Sequence, residues 1–191
     1  MALGASELKK GSFIAVDGAP YIVLSCSHSH IGRGGAVVQT KIRNLKTGTI
    51  LERNFRVGDS IKESEIRKMQ ARFIYERRGE YWFHERSVPA NRFFISRGAL
   101  GDKALFLKPE MEVTALKQVE EDKEEIINIE LPIKADYKVI EAPPGIRGNT
   151  ADGGKKTATI EGGLKVSVPL FIEEGDTIRI NTETKEYAER I

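Results

Sequence analysis

Apolar and polar residues alternate along most of the chain, and the alternating stretches are short. Residues 12–16 and 21–24 read as β-prone runs separated by Asp17-Gly18-Ala19-Pro20. An Asp-Gly pair between such runs signals a tight hairpin, because both central turn positions need positive φ. Residues 36–42 form the next predicted strand, 44–48 a turn, and 50–55 its return. A second group follows, with a strand over 69–76, a turn at Arg77-Arg78-Gly79 and a returning Tyr81-Trp82-Phe83. Leu100, Ala104, Leu105 and Leu107 have helical spacing, which predicts a helix over 100–107 stopped by Lys108-Pro109. Residues 111–118 and 125–129 read as strands around an acidic turn at 120–125, a solvated hairpin end. Leu131-Pro132 breaks the pattern. Beyond it, strands are expected over 137–141, 156–161, 164–168, 177–181 and 186–188. Gly162-Gly163, Glu174-Gly175-Asp176 and Asn181-Thr182 are the turns between them.

The three clusters are separated by breaks at Gly58-Asp59 and Leu131-Pro132. They predict an all-β chain of three consecutive small β-barrels. Residues 1–64 suit an SH3-like barrel with a glycine-rich loop. Residues 65–130 and 131–191 each suit an OB-fold-like barrel. Units of this size are near the lower limit for independent stability, so packing between neighbours should contribute.

Composition narrows the class. Of 191 residues, 40% are apolar and 30% charged, a globular balance. No apolar run approaches the ~20 residues of a membrane span. The first ten residues lack the basic and apolar segments of a secretory leader. One cysteine, Cys26, leaves no internal disulfide and suits a reducing cytoplasm. The net charge of +2 says little, but its distribution says more. No Asp or Glu occurs from Gly18 to Leu51, a stretch holding Arg33, Lys41, Arg43 and Lys46. Residues 1–64 carry nine Lys/Arg against five Asp/Glu, whereas 65–130 and 131–191 are each net −1. A positive end on a near-neutral body suits docking against a polyanion.

Candidate chemistry is sparse. Cys26, His28 and His30 alternate, so an extended strand would face all three to one side, an acceptable spacing for zinc. A structural zinc site needs a fourth ligand, and a polar strand edge with one buried thiol explains the same residues. No nucleophile elbow, Walker sequence or dinucleotide fingerprint is present, which argues for a binding protein rather than an enzyme. Gly32-Arg33-Gly34-Gly35 would present one arginine on a turned loop, able to reach a phosphate or a narrow RNA pocket. An ordinary glycine-rich hairpin is the plainer account. Tyr81-Trp82-Phe83 and Phe93-Phe94 have the residue types of a base-stacking platform. Core packing is the stronger expectation, since adjacent strand residues point to opposite faces.

The final unit holds Lys156-Thr157-Ala158, then Gly163, Val166-Ser167-Val168-Pro169, Ile172 and Gly175. The order and spacing resemble the signature of the bacterial elongation factor P family: Lys-x-Ala, four residues, Gly, two, aliphatic-x-Val-Pro, two, aliphatic, two, Gly. Lys9-Lys10-Gly11, the glycine-rich loop, residues 41–48, Pro144-Gly145-Ile146-Arg147-Gly148 and residues 169–176 are similar to that family too. The resemblance covers essentially the whole chain.

The resemblance implies an L-shaped, three-barrel protein with a tRNA-like outline. Such proteins bind the ribosome between the peptidyl-tRNA and exit sites and stimulate peptide bond formation at consecutive prolines. It also implies contact of Gly32, Arg33, Gly34, Gly35, Lys41 and Arg43 with peptidyl-tRNA or ribosomal RNA. Gly148, Asn149, Thr150, Tyr187 and Arg190 would lie toward the small subunit and tRNA. Most members carry a modified lysine at the loop tip, where Arg33 stands here. One branch rhamnosylates arginine there, but Gly34-Gly35-Ala36 resembles the lysine branch, and His30-Ile31 replaces the familiar Lys-Pro. Rhamnosylated and unmodified Arg33 both stay open. Asn149 stands where many members have the aspartate of a Gly-Asp-Thr loop attributed to codon contact, so that contact stays open as well. A paralogous branch also has arginine near the tip, though residues 169–176 resemble the main line. The expected partners are the ribosome, peptidyl-tRNA, ribosomal RNA and, where Arg33 is modified, a loop-modifying enzyme. A cytoplasmic monomer with no cofactor, metal or membrane is expected. Two rivals from other classes are a general single-stranded nucleic-acid-binding protein and a metal-dependent enzyme using Cys26, His28 and His30.

Overall fold

The structure, a computed structural model, describes residues 2–30, 36–120, 123–144 and 154–191. Strands β1 (Ala2–Gly4) and β6 (Ser60–Lys62) pair antiparallel. β2 (Phe13–Val16), β3 (Ala19–His30), β4 (Ala36–Asn44) and β5 (Ile50–Arg56) form an antiparallel sheet in that order. A bridge between Ile14 and Glu63 ties β2 to the residue after β6 and curls the set toward a barrel. β7 (Ile66–Arg77), β8 (Glu80–Glu85), β9 (Arg92–Ser96), β10 (Glu112–Glu120) and β11 (Lys123–Glu130) form a sheet ordered β11-β10-β7-β8-β9. β12 (Lys134–Glu141), β13 (Lys155–Ile160), β14 (Lys165–Pro169), β15 (Thr177–Asn181) and β16 (Glu186–Arg190) form a sheet ordered β14-β13-β12-β15-β16. The fold is all-β, with barrel-like sheets. No helix of the described residues is long and apolar enough to cross a membrane.

By compactness the chain divides in two. One unit holds Met1–Gln70, Phe93–Gly101 and Ala115–Ile129. The other holds Ala71–Arg92, Asp102–Thr114 and Glu130–Ile191.

In the first unit, alternation along β4 buries Val38, Thr40, Ile42 and Asn44 and exposes Gln39 and Lys41. Val38 and Ile42 meet Ile14, Val16, Val23, Phe55 and Ile61 in one core, closed at its end by Ala5 and Leu8. Each such aliphatic side chain contributes about 1.5–3 kcal/mol by leaving water. Leu45, Leu116 and Ile127 form a second cluster, flanked by Phe13, Ile22 and Ile66. The two turn residues Asp17 and Gly18 have φ of 51° and 79°, and Val16 pairs with Ala19. The hairpin signal therefore lies in Asp17-Gly18 alone, and Ala19 and Pro20 already belong to β3.

In the second unit, Phe73, Tyr81 and Phe83 pack with ring centroids 5.9 and 5.3 Å from Phe73. Tyr81 and Phe83 are core, as expected, while Trp82 points to the other face of β8; on β9, against the same expectation, Phe93 is only half-buried and Phe94 is exposed. Tyr137 is fully buried and donates its hydroxyl to the Phe106 carbonyl at 2.8 Å. Burial, helped by the Glu161 charge, pushes that phenol well above its ordinary pKa. Val139, Ala158, Ile160, Val166, Val168, Ile172, Ile178 and Ile180 are buried as well.

Two further expectations change. The single helix over 100–107 is instead a four-residue turn α1 (Arg97–Leu100) followed by 3-10 turns over Gly101–Phe106. Ser96 caps α1 by accepting from Ala99 N–H, and Gly101, at φ 56° and ψ −133°, ends it. β3 does not stop at Leu24 but runs to His30, because its ladder with β4 continues where apolar alternation ends. β1, β6 and β9 are additional strands in segments where the apolar pattern is too short to mark one.

Asp136 on β12 meets Arg179 on β15 through two hydrogen bonds, 2.7 Å from Nε and 3.0 Å from a terminal nitrogen. These bonds, then the charges of Arg179 and Lys108, hold its carboxyl below the ordinary value of 3.8 against the opposing effect of burial. A depressed carboxylate adds stability above its unfolded value and loses it as pH falls through the folded one. Melting of wild type and Asp136→Asn across acid pH checks this. The wild-type advantage is expected to be full above about pH 5 and to shrink as pH drops below 3.8. A gap that stays constant across that range would contradict it.

Candidate nucleic-acid interface

β3 and β4 form a long hairpin, paired from Tyr21 with Asn44 to His30 with Ala36. Since alternation turns Val38, Thr40 and Ile42 inward, Val37, Gln39, Lys41 and Arg43 occupy the outer face. The register continues that face onto Ser25, Ser27 and Ser29 of β3 and onto Ile50, Glu52, Asn54 and Arg56 of β5. Besides Val37, Ile50 and the Glu52 carboxylate, the face carries hydroxyls, amides and cations, groups of the kind that meet sugar and phosphate. Lys41 is exposed, opposite Glu52, and Arg43 is half-buried. Neither makes an ion pair or side-chain hydrogen bond among the described residues. Arg53 and Lys46, in contrast, are held by Asp17 at 2.8 Å and Glu125 at 2.7 Å. The structure thus brings Lys41 and Arg43 together on one face. Gly32, Arg33, Gly34 and Gly35, in the connection from β3 to β4, lie outside the described residues.

Cys26 lies on the inner side of β3, paired with Thr40. Its thiol donates to the Leu8 carbonyl at 3.3 Å and packs against the core. His28 is exposed, and the side chain of His30 is outside the described set. Among the described residues, no three His, Cys, Asp or Glu side chains gather as metal ligands.

Within the second unit, Tyr187 sits half-buried on β16 opposite Ile180. The Arg190 guanidinium lies 5.8 Å from the centre of the Phe171 ring and 3.7 Å from the Asp176 carboxylate. Phe171 is 59% exposed, a cation-bearing aromatic surface that sequence reasoning did not single out. It falls in the turn after β14, where strand alternation no longer predicts a face. Gly148, Asn149 and Thr150 lie outside the described residues.

The spaced signature of the last barrel proves to be mostly about folding. Ala158, Val166, Val168 and Ile172 are core, and Gly163 and Gly175 take φ of 82° and 91°. Lys156 ties its ammonium to the Pro143 carbonyl at 2.8 Å.

Comparison with known proteins gives the same answer at both ends of the chain. Residues 4–61 match the family model described as the elongation factor P KOW-like domain, and residues 136–190 match elongation factor P, C-terminal. The chain is 40% identical over 189 residues to elongation factor P of Persephonella marina, covering 99% of this chain and 97% of that protein. It is 37% identical over 187 residues to elongation factor P of Natranaerobius thermophilus, covering 98% and 97%. A solved structure of translation initiation factor 5A from Methanococcus jannaschii is 15% identical, with a TM-score of 0.48, covering 68% of this chain and 95% of that one.

Proposed function

Since the chain belongs to the elongation factor P family, and so is a translation elongation factor acting with the ribosome, we propose that it binds beside peptidyl-tRNA and relieves stalling at consecutive prolines. The observation that carries this reading is similarity over 98–99% of the chain to proteins of that name. Proline is a poor acceptor with a locked φ, so the reacting ends at a proline run are badly placed. A bound factor that holds the tRNA acceptor end and nascent chain in reactive geometry lowers the barrier by positioning. The ribosome performs the bond-making step, and the factor is not itself an enzyme.

In this reading Arg33 is the tip group, and Gly32, Gly34 and Gly35 allow close approach of backbone to RNA. Lys41 and Arg43 neutralise phosphates. Gly148, Asn149, Thr150, Tyr187 and Arg190 contact the small-subunit side. The factor works as a cytoplasmic monomer of three barrels bounded near residues 64 and 131. Intact mass of protein from its native host distinguishes a deoxyhexose on Arg33 from bare arginine. An extract depleted of its own factor and translating a triple-proline reporter tests the function. Added protein restores full-length product, and a failure to restore it removes the reading.

The two cations on the outer face of β4 give a further expectation. Each phosphate neutralised contributes about −0.7 to the slope of log affinity against log salt on single-stranded RNA. Replacing Lys41 and Arg43 together by alanine should therefore flatten the slope for ribosome binding by about 1.4. A slope equal to wild type would remove them from the phosphate contact.

A further inference from the structure

The β7–β8 hairpin carries a second feature that the function above does not use. Its turn residues Arg78 and Gly79 have φ of 54° and 80°, closing a tight hairpin with Arg77 opposite Glu80. Phe73 faces Phe83 on the buried side. A register shift between Phe73 and Tyr75 then turns Tyr75 outward, opposite Trp82. The two rings stack with centroids 6.4 Å apart and planes 28° from parallel. Tyr75 is 42% exposed. The Trp82 indole N–H donates to Glu80 at 3.2 Å, which fixes the ring's orientation. Arg77 continues the face of Tyr75, and Arg78 forms the tip.

The carboxylates next to this pair are already engaged. Glu76 accepts from the Gly79 backbone N–H at 2.7 Å, and Glu80 holds the indole. The side chains of Arg77 and Arg78 make no ion pair or hydrogen bond among the described residues. At the far end Arg72 and Arg86 are balanced by Glu112, 3.0 and 3.4 Å away. Stacked rings bordered by uncommitted guanidiniums, on the outer face of a hairpin, match what unpaired nucleotides require: a π surface for bases and cations for the backbone.

We propose that the outer face of the β7–β8 hairpin binds single-stranded RNA, with bases stacking on the Tyr75–Trp82 pair and phosphates meeting Arg77 and Arg78. Trp82 is the sole tryptophan of the chain, so its fluorescence reports the site directly. The full-length protein is titrated with a short oligoadenylate and with a duplex RNA of equal length. The single strand is expected to quench Trp82 saturably, and the duplex to quench it weakly. Tyr75→Ala should weaken oligoadenylate binding at least about fivefold, whereas Tyr75→Phe, which keeps the stack, should bind as wild type. Arg77→Ala combined with Arg78→Ala should flatten the salt slope by about 1.4. Unaltered melting of each variant excludes a folding defect. Unquenched Trp82 at saturating RNA, or wild-type affinity in Tyr75→Ala, would overturn the proposal. So would variants that keep RNA affinity but lose crosslinks to a ribosomal protein, which would make the face a protein-docking surface.

Discussion

Arg33→Ala is expected to remove most rescue of a triple-proline reporter while leaving the fold almost unchanged. Arg33 stands midway through the connection from β3 to β4, and the ladder those strands form closes at His30 with Ala36 without it. The core of this unit includes Val23, Val38, Ile42 and Phe55, carried by β3, β4 and β5. A substitution away from core, caps and buried networks changes stability by less than about 0.5 kcal/mol. Ribosome affinity should fall far less than rescue, because Lys41, Arg43 and the rest of the basic first barrel remain. Arg33→Lys is the sharper variant. It keeps the charge but loses the planar five-donor fork. In an extract without lysine-modifying enzymes it should be impaired if the guanidinium itself is what the tip supplies. The measurement is full-length reporter product in a factor-depleted extract, with protein of verified mass and melting temperature. Full rescue by Arg33→Ala would take the tip function away from that residue.

How far the chain can be read from its residues depends on which force shapes each part. Asp17-Gly18 announced its hairpin because positive φ at two adjacent positions is a strong local constraint. The strand over 164–168 is equally plain, because Val166 and Val168 alternate with polar neighbours and are core. β3 beyond Leu24 was hidden, since Ser25, Ser27 and Ser29 face outward and the strand is held by its ladder with β4. Residues 100–107 have real helical apolar spacing, but Gly101 divides the segment. Tyr75 illustrates the limit best. Counting by twos from Phe73 puts it in the core, and only the register shift turns it out against Trp82. At the β3–β4 face, the acid-free run containing Lys41 and Arg43 was visible in composition alone. The Phe171–Arg190 contact joins a turn to a strand and has no local signature.

Gly48→Ala is expected to produce a large loss of stability, by a route unrelated to Arg33. The turn between β4 and β5 is wound tightly: Asn44 Oδ1 accepts from the N–H groups of Lys46 and Thr47 at 2.8 and 3.0 Å. Gly48 completes it at φ 79°, where a side chain is strained. A Cβ there would also stand 2.5 Å from the Gly98 carbonyl oxygen of α1, and that oxygen belongs to backbone. Strain and overpacking together should cost about 2–5 kcal/mol. Asn128 fastens the same junction from β11. It is almost fully buried, and its amide donates to the Leu45 carbonyl at 2.7 Å and the Ala99 carbonyl at 3.0 Å. Asn128→Leu would leave two buried carbonyls without that donor, at about 1–3 kcal/mol each. Asn128→Asp should be worse at neutral pH, since a carboxylate cannot donate and would face both oxygens. Because both residues act on one contact, their effects should combine to less than their sum: a junction opened by Gly48→Ala has less left for Asn128 to hold. Denaturant or thermal unfolding of the single and double variants measures this. Melting of Gly48→Ala at the wild-type temperature, or strict additivity with Asn128→Leu, would contradict a junction built on close backbone contact.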